Sequence, residues 1–329
     1  MRYLTLENCE GLPLAKSLYN EYGRLIIGAK TSITHKHTIR LRNFGIYYLP
    51  ILDSIDEEVP DDIVDERVKT EALSAVEDLD IDRSFEMASK LVSELVGNSA
   101  LLENGFQSLK EYDINTADHS VNVAINAIAF GICMGLNITR LNNIGAGALL
   151  HDIGKCKIPL EILNSTEKLT KAQRKIINNH PQYGYEILDE DILVPASVKA
   201  IVYQHHENWD GTGYPRGLKE KEIYDLAAMI HICDVWDALI SQRPYKECVS
   251  YKDAIEYMKE QGGKMFSPYY LKYFFLYHPI YAVGVEVPLS NNKTGVVIKN
   301  TKGHMLTPTV KILETGEIID LRKSDIKIL

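Results

Sequence analysis

A histidine and an aspartate stand side by side, His151-Asp152, at the end of one of the most apolar stretches of this chain, AGALLHDIGK. The apolar residues ahead of them recur at helical spacing, so the pair closes a helix that a core must enclose. An imidazole and a carboxylate buried without partners are costly, because neither recovers the hydrogen bonds it gave up with water. A cation shared between them removes that cost. The fold must then bring further ligands to the same place, and the sequence supplies them at wide intervals: His119, His180, the pair His205-His206, and Asp234. No thiolate accompanies them, and histidine with carboxylate donors suits iron, manganese or zinc. Six or seven such ligands exceed the needs of one ion, whereas an aspartate can bridge two. Two ions about 3.5–4 Å apart are the usual device for activating water and holding a phosphate oxygen during in-line displacement. The ligand series alone suggests metal-assisted phosphoester hydrolysis.

The stretch that carries these residues, Arg83 to about His278, repeats apolar positions at i, i+3 and i+4 (FEMASKLVSELV, SVNVAINAIAFGICMGL, DAIEYMKEQGG). Val121–Thr139 has no charged residue, yet Asn122, Asn126, Asn137 and two glycines interrupt it. It is read as a buried core helix in preference to a membrane span. Residues 1–52 form a small unit of their own: short strands at YLTL and around Leu14–Tyr19, a return through EYGRLII, a helix over Ile33–Phe44 opened by Thr31 and Ser32 and stopped by Gly45, and a strand in GIYYLPI. From Tyr281 the period becomes two, with hairpin turns expected at NKTG and ETGE. The expected fold is mainly α: a helical bundle carrying the site, a small N-terminal α/β unit and a small C-terminal β-unit. The expected boundaries are 1–52, an acidic linker and helix at 53–82, the bundle at 83–280, and the β-unit at 281–329.

Charge matters through its placement. The chain has a formal charge of −9, with 45 acids against 36 bases, but residues 53–82 hold thirteen acids and two bases. The remaining residues sum to +2, which leaves them free to build an anion-binding pocket. The acidic window is expected to be a solvated linker and helix face, and the overall balance argues against coating a nucleic-acid polymer. Five scattered cysteines with no C-x-x-C pair fit buried thiols in a reducing compartment. The first residues carry no apolar h-region, so a cytoplasmic protein without a membrane segment is expected.

The loop HHENWDGTGYP (205–215) is the second feature. Its glycines allow close backbone approach, Tyr214 offers a stacking face or a hydroxyl, and Pro215 stiffens the turn. HDIGK (151–155) and this loop, in order with DINTADHS, NHPQYG, HICDVWDALISQRPYKE and KMFSP, resemble the HD-GYP family of HD-superfamily phosphohydrolases over residues 110–275. The resemblance implies an HD-type helical bundle that hydrolyses cyclic di-GMP to pGpG or GMP by attack of a metal-bridging water or hydroxide. It implies two divalent metal ions, iron first and manganese next. His119, His151, Asp152 and Asp234 would surround one ion, and Asp152 would bridge to another held by His180, His205 and His206. Lys155, four residues after His151 and hence on the same helical face, would neutralise phosphate charge or assist proton transfer. Asp210, Gly213, Tyr214 and Pro215 would form the ligand-orienting loop, and Arg243 and Lys246 would contact the substrate phosphates. Arginine suits that work by its fork of donors.

Departures from the family pattern are Asn115, where some members place a metal-binding glutamate, Met229 for arginine, and Ser267 for aspartate. The neutral Asn115 leads us to expect two ions and not three. His231 is expected to be a supporting or core residue, and His35, His37, His278 and His304 ordinary. The first reading is a cyclic di-GMP phosphodiesterase. The others are a hydrolase of another cyclic dinucleotide, and a cyclic-dinucleotide sensor or interaction module that has lost catalysis. Residues 1–52 are read as regulatory or dimer-forming, which admits a homodimer and signalling-protein partners.

Overall fold

The structure is a computed structural model and describes residues 2–20, 24–43, 46, 48–52, 63–99, 116–165, 167, 169–241, 249–278, 280, 281 and 285–329. The N-terminal unit pairs β1 (Arg2–Thr5) antiparallel with β4 (Tyr48–Ile51), and β2 (Leu18–Tyr19) with β3 (Leu25–Ile27). Helix α1 (His35–Asn43) completes it. Leu6, Leu14, Ile33, Leu41, Leu49 and Ile51 close a small core of their own. The helix begins after Thr34, whose hydroxyl accepts from the His37 N–H, and not at Ile33 behind Thr31 and Ser32. Thr34 fills the capping role because its side-chain oxygen reaches the free N–H of the third helical residue, His37.

The bundle consists of α2 (Glu66–Glu77), α3 (Ile81–Gly97), α4 (Thr116–Cys133), α5 (Ile138–Leu150), a 3-10 turn at Ile153–Lys157, α6 (Leu160–Leu163), α7 (Lys171–Ile177), α8 (His180–Asp189), α9 (Ala196–Gln204), α10 (Asp225–Ile240), α11 (Tyr251–Glu260) and α12 (Pro268–Tyr277). An antiparallel sheet in the order β5 (Glu286–Pro288), β6 (Thr294–Lys299), β7 (Thr309–Ile312), β8 (Ile318–Asp320) follows. Its inner residues Val287, Val297, Val310 and Ile312 belong to the same buried core as the helices. The mainly α fold with small terminal sheet units is as expected.

Two findings refine the sequence reading. The helix expected in the acidic window is α2, and its face is not only solvated, because Ile63, Val64, Val68, Ala72 and Ala75 lie in the main core beside Leu91 and Ile128. Its acids serve the helices: Asp65 accepts from the Arg67 N–H at the start of α2, and Asp80 from the Arg83 N–H at the start of α3. A carboxylate at a helix N-terminus also meets the positive end of the helix dipole. The uncharged run is not one helix: it covers α4 from Val121 to Cys133, where Val123, Ala124, Ile125, Ala127, Ile128 and Phe130 are fully buried, then a turn through Gly135 and the first residues of α5. None of the described helices is long and apolar enough to cross a membrane.

Candidate metal centre

Five helices deliver the expected ligands to one place. His119 comes from the first turns of α4, and His151 and Asp152 from the end of α5. His180 opens α8, His205 caps α9 with His206 beside it, and Asp234 lies midway along α10. The donor atoms of His119, His151 and Asp152 all lie within 4.8 Å of one another, and so do those of His180, His205 and His206. Asp152 joins the two groups: one oxygen is 3.3 Å from His151 Nε2 and the other 3.3 Å from His180 Nε2. Asp234 Oδ1 is 3.0 Å from His119 Nε2.

Local packing explains the convergence. Gly154, the glycine of HDIGK, sits against α8, where an added Cβ would fall 2.0 Å from the His180 carbonyl oxygen and 2.4 Å from the Gly184 nitrogen. Only a residue without a side chain lets the turn after Asp152 approach the helix that carries His180. Gly213 does the same for the loop, where a Cβ would fall 2.2 Å from the Asn208 nitrogen and 2.5 Å from the His206 carbonyl oxygen. That fold-back lets the Tyr214 N–H donate to the His206 carbonyl and lays the Tyr214 ring 4.8 Å from the His206 ring.

The hydrogen bonds fix the ring nitrogens. His151, His180 and His205 each place Nδ1 against a backbone carbonyl three residues earlier, those of Ala148, Ile177 and Val202, at 2.6, 2.8 and 2.8 Å. A carbonyl only accepts, so Nδ1 carries the proton. Burial depresses the pKa of His180 and drives that of His205 well down, which keeps both rings neutral. Burial likewise pushes His206 down to about 3. The Nε2 atoms of His180 and His205 are therefore lone pairs turned inward.

A cation fits what these lone pairs leave unmet. His180 Nε2 and His205 Nε2 face each other at 3.2 Å with no proton to share. His151 Nε2 and Asp152 Oδ1 are buried without a hydrogen-bond partner. Lone pairs and carboxylate oxygens directed at one another repel unless positive charge lies among them. Burial opposes ionisation of Asp152 and Asp234, but Lys155 and His151 for the first, and His119 for the second, hold both carboxyls well below the usual range. The site thus offers neutral imidazoles at His180, His205 and His206 and ionised carboxylates at Asp152 and Asp234, the protonation states that a divalent metal requires.

The supporting residues were missed by sequence reading. Asp237 Oδ2 lies 2.6 Å from His119 Nδ1, and both are buried. Burial opposes a charge on His119, yet the bonds to Asp234 and Asp237 outweigh it and raise its pKa to about 10. A cation at Nε2 would replace the proton there, while Asp237 keeps the ring oriented, as carboxylates commonly do behind metal-bound histidines. The available signal was two acids three residues apart in the otherwise apolar ICDVWDALI. Glu207, buried directly after the His-His pair, accepts from the N–H groups of Arg216 and Leu218 and ties the loop down at both oxygens. Its carbonyl accepts from His231 Nδ1 at 2.9 Å, so His231 is the supporting residue expected of it.

Other expected residues divide clearly. Lys155 Nζ contacts Asp152 Oδ2 at 2.5 Å. It reaches the site by the 3-10 turn from Asp152, and not by sharing an α-helical face with His151, because α5 ends at Leu150. Asp210 turns its carboxylate to the N–H and hydroxyl of Thr212 and so shapes the loop. Met229 is packed in the core, and Ser267 is buried with its hydroxyl unpaired among the described residues. Asn115, Arg243 and Lys246 lie outside the described residues. A cleft of about 640 Å³ opens onto Asp152 and Lys155, walled by Leu79, Leu149, Leu150, Ile153, Ile158 and Leu160.

Comparison with known proteins agrees with this geometry. The family model described as HD domain matches residues 86–269. A cyclic di-GMP phosphodiesterase of Pseudomonas aeruginosa is 37% identical over 251 residues, covering 75% of this chain and 60% of that protein. One from Thermotoga maritima is 36% identical over 162 residues, covering 49% and 44%. A 3'3'-cGAMP-specific phosphodiesterase of Vibrio cholerae is 31% identical over 189 residues, covering 57% and 36%. The chain thus spans less than two thirds of the length of each of these relatives. Among solved structures, an HDG"Y"P protein from Bdellovibrio bacteriovorus shares the fold with a TM-score of 0.56 at 19% identity, over 83% of this chain and 97% of that one. With the family match spanning more than half of this chain and both HDIGK and HHENWDGTGYP in place, the chain belongs to the HD-domain family, in its HD-GYP group.

Proposed function

We propose that this chain is a metal-dependent phosphodiesterase that hydrolyses cyclic di-GMP to pGpG or GMP. The observation that carries the reading is the convergence of histidine nitrogens and ionised carboxylates in two adjoining clusters, with Asp152 between them. His119, His151, Asp152 and Asp234 would hold one divalent ion, and His180, His205 and His206 the other with Asp152, with iron preferred and manganese next. Such ions supply a water that ionises near neutral pH and positive charge for phosphate oxygens. The chain's own residues do the rest. Lys155 stands at the mouth of the apolar cleft, its ammonium beside Asp152, placed to stabilise charge that develops on phosphorus oxygens. The leucine and isoleucine walls exclude water and offer a surface for a nucleobase or ribose. Tyr214 closes the opposite edge of the cluster against His206 and His180.

Cyclic di-GMP is placed first because the relatives from Pseudomonas and Thermotoga carry that activity in their names. The test is to load the purified protein with iron or manganese under reducing conditions and supply cyclic di-GMP, 3'3'-cGAMP and cyclic di-AMP separately. Faster turnover of cyclic di-GMP than of either other dinucleotide is expected. Binding without turnover at full metal occupancy would make the chain a sensor and end the proposal.

A further inference from the structure

The cleft that opens onto Asp152 and Lys155 has a second acid in its wall. Among the described residues its leucine and isoleucine surfaces are interrupted by Glu77, Ser120 and Cys156. A mostly apolar cleft with a few placed polar groups is the usual form of a small-ligand site. The phosphates of a cyclic dinucleotide are provided for by the metal centre, by Lys155 and, on the family resemblance, by Arg243 and Lys246. None of these groups distinguishes one base from another. Glu77 is the charged residue of the cleft left for that work among the described residues. It ends α2, is exposed, and lies ahead of residues 86–269, so the family match does not account for it.

The chain beside Glu77 is built at a cost. The Leu79 N–H donates to the Val76 carbonyl at 3.1 Å and the Asp80 N–H to the Ala75 carbonyl at 3.0 Å, the pair of bonds that closes a helix through a left-handed residue. That residue is Leu79, at a φ of 55°, where glycine is the ordinary choice because a Cβ crowds the backbone. A leucine held in that conformation and still 46% exposed serves something besides the core. It lines the cleft, as does Leu160, 68% exposed, and the two offer a flat ring an apolar surface.

Resting on the phosphodiesterase reading above, we infer that Glu77 selects guanine: its carboxylate accepts from N1–H and N2–H of one guanine of the dinucleotide, whose ring lies against Leu79 and Leu160. Guanine presents these two donors side by side, matching the two oxygens of a carboxylate. Adenine presents one donor beside a ring-nitrogen lone pair, which a carboxylate repels. A site built around such bonds rejects the analogue that lacks them far more strongly than an apolar pocket can. Glu77 also has contacts within the protein; a carboxylate has about four acceptor positions, and guanine uses two of them. A merely solvated acid at the rim differs in sign, because it repels every anionic dinucleotide alike.

The test uses the full metal-loaded chain and hydrolysis-resistant phosphorothioate analogues of cyclic di-GMP and cyclic di-AMP, with affinities measured by calorimetry. Wild type should bind the guanine analogue at least about tenfold more tightly than the adenine one. Glu77→Gln, which puts an amide donor in place of one acceptor oxygen and removes the charge, should weaken binding of the guanine analogue about tenfold, since a charge-assisted hydrogen bond contributes about that factor or more. Its affinity for the adenine analogue should stay within about twofold of wild type or tighten. Glu77→Asp should fall between wild type and Glu77→Gln. Glu86→Gln, which removes an equal charge from an exposed position of α3 outside the cleft, is the control and should leave the ratio of the two affinities unchanged. Unchanged or tighter binding of the guanine analogue by Glu77→Gln, or an equal loss for both analogues, overturns the assignment. Wild type that prefers the adenine analogue, or binds neither, overturns it as well. A guanine preference that depends on Glu77, with no turnover of cyclic di-GMP, leaves the assignment standing and refutes the phosphodiesterase reading instead.

Discussion

Gly154→Ala isolates the step by which this sequence builds its site. The added methyl carbon would lie 2.0 Å from the His180 carbonyl oxygen and 2.4 Å from the Gly184 nitrogen, both backbone atoms of α8. Carbon rarely approaches such atoms nearer than about 3 Å, so the 3-10 turn and α8 must separate by about 1 Å. Overpacking of this kind costs about 1–3 kcal/mol. The larger effect falls on the site, because Asp152 Oδ1 and His180 Nε2 stand 3.3 Å apart across the same seam. A displacement of about 1 Å in a catalytic geometry lowers rates by about 100-fold. The assay is metal content by plasma mass spectrometry, the melting temperature with and without chelator, and turnover of cyclic di-GMP. Gly154→Ala should remain folded, lose most of its metal from the His180 side and turn over at about 1% of wild type. Full metal occupancy with wild-type turnover would refute the claim that close approach at Gly154 assembles the site.

Three further outcomes are expected. Asp237→Asn removes the carboxylate behind His119 and should weaken metal binding by about 10- to 100-fold, with folding intact by circular dichroism; unchanged metal affinity would count against its orienting role. Glu207→Gln leaves one of the buried N–H groups of Arg216 or Leu218 facing an amide donor and should cost about 1–3 kcal/mol. Trypsin should then cleave after Arg216 faster, and wild-type protection would argue against Glu207 as the anchor of the loop. In chelator, His206 and His278, which burial depresses from 6.5 to about 3, take up protons in the unfolded chain before the folded one. Their stabilisation is complete above pH 6.5 and is lost as pH falls from there towards 3, so the melting temperature should drop across that window. A flat profile would refute this, and His278→Phe should reduce the slope.

The helical period announced α4 and α5 because their apolar residues are dense and regular, and the ligand series stood out because histidines rarely end such helices. Residues whose roles depend on other chain segments were harder to find. Asp237 is one more acid in α10 until α4 brings His119 2.6 Å from it. Glu207 reads as a loop acid, but its work is to hold a turn that begins four residues later. In the acidic window the helix was expected, but its charge hid the buried face that the quieter apolar spacing of Val68, Ala72 and Ala75 gives α2. Lys155 stands beside Asp152, but not through the helical face expected of it, because the change from α-helix to 3-10 turn after Leu150 leaves no trace in HDIGK.

Anomalous diffraction from crystals of the metal-loaded protein, collected on both sides of the iron and manganese edges, tests the central claim most directly. The account predicts two peaks, one among His119, His151, Asp152 and Asp234, the other among His180, His205 and His206, with Asp152 between them. Peaks elsewhere on the chain, or none at either cluster after loading, would contradict it.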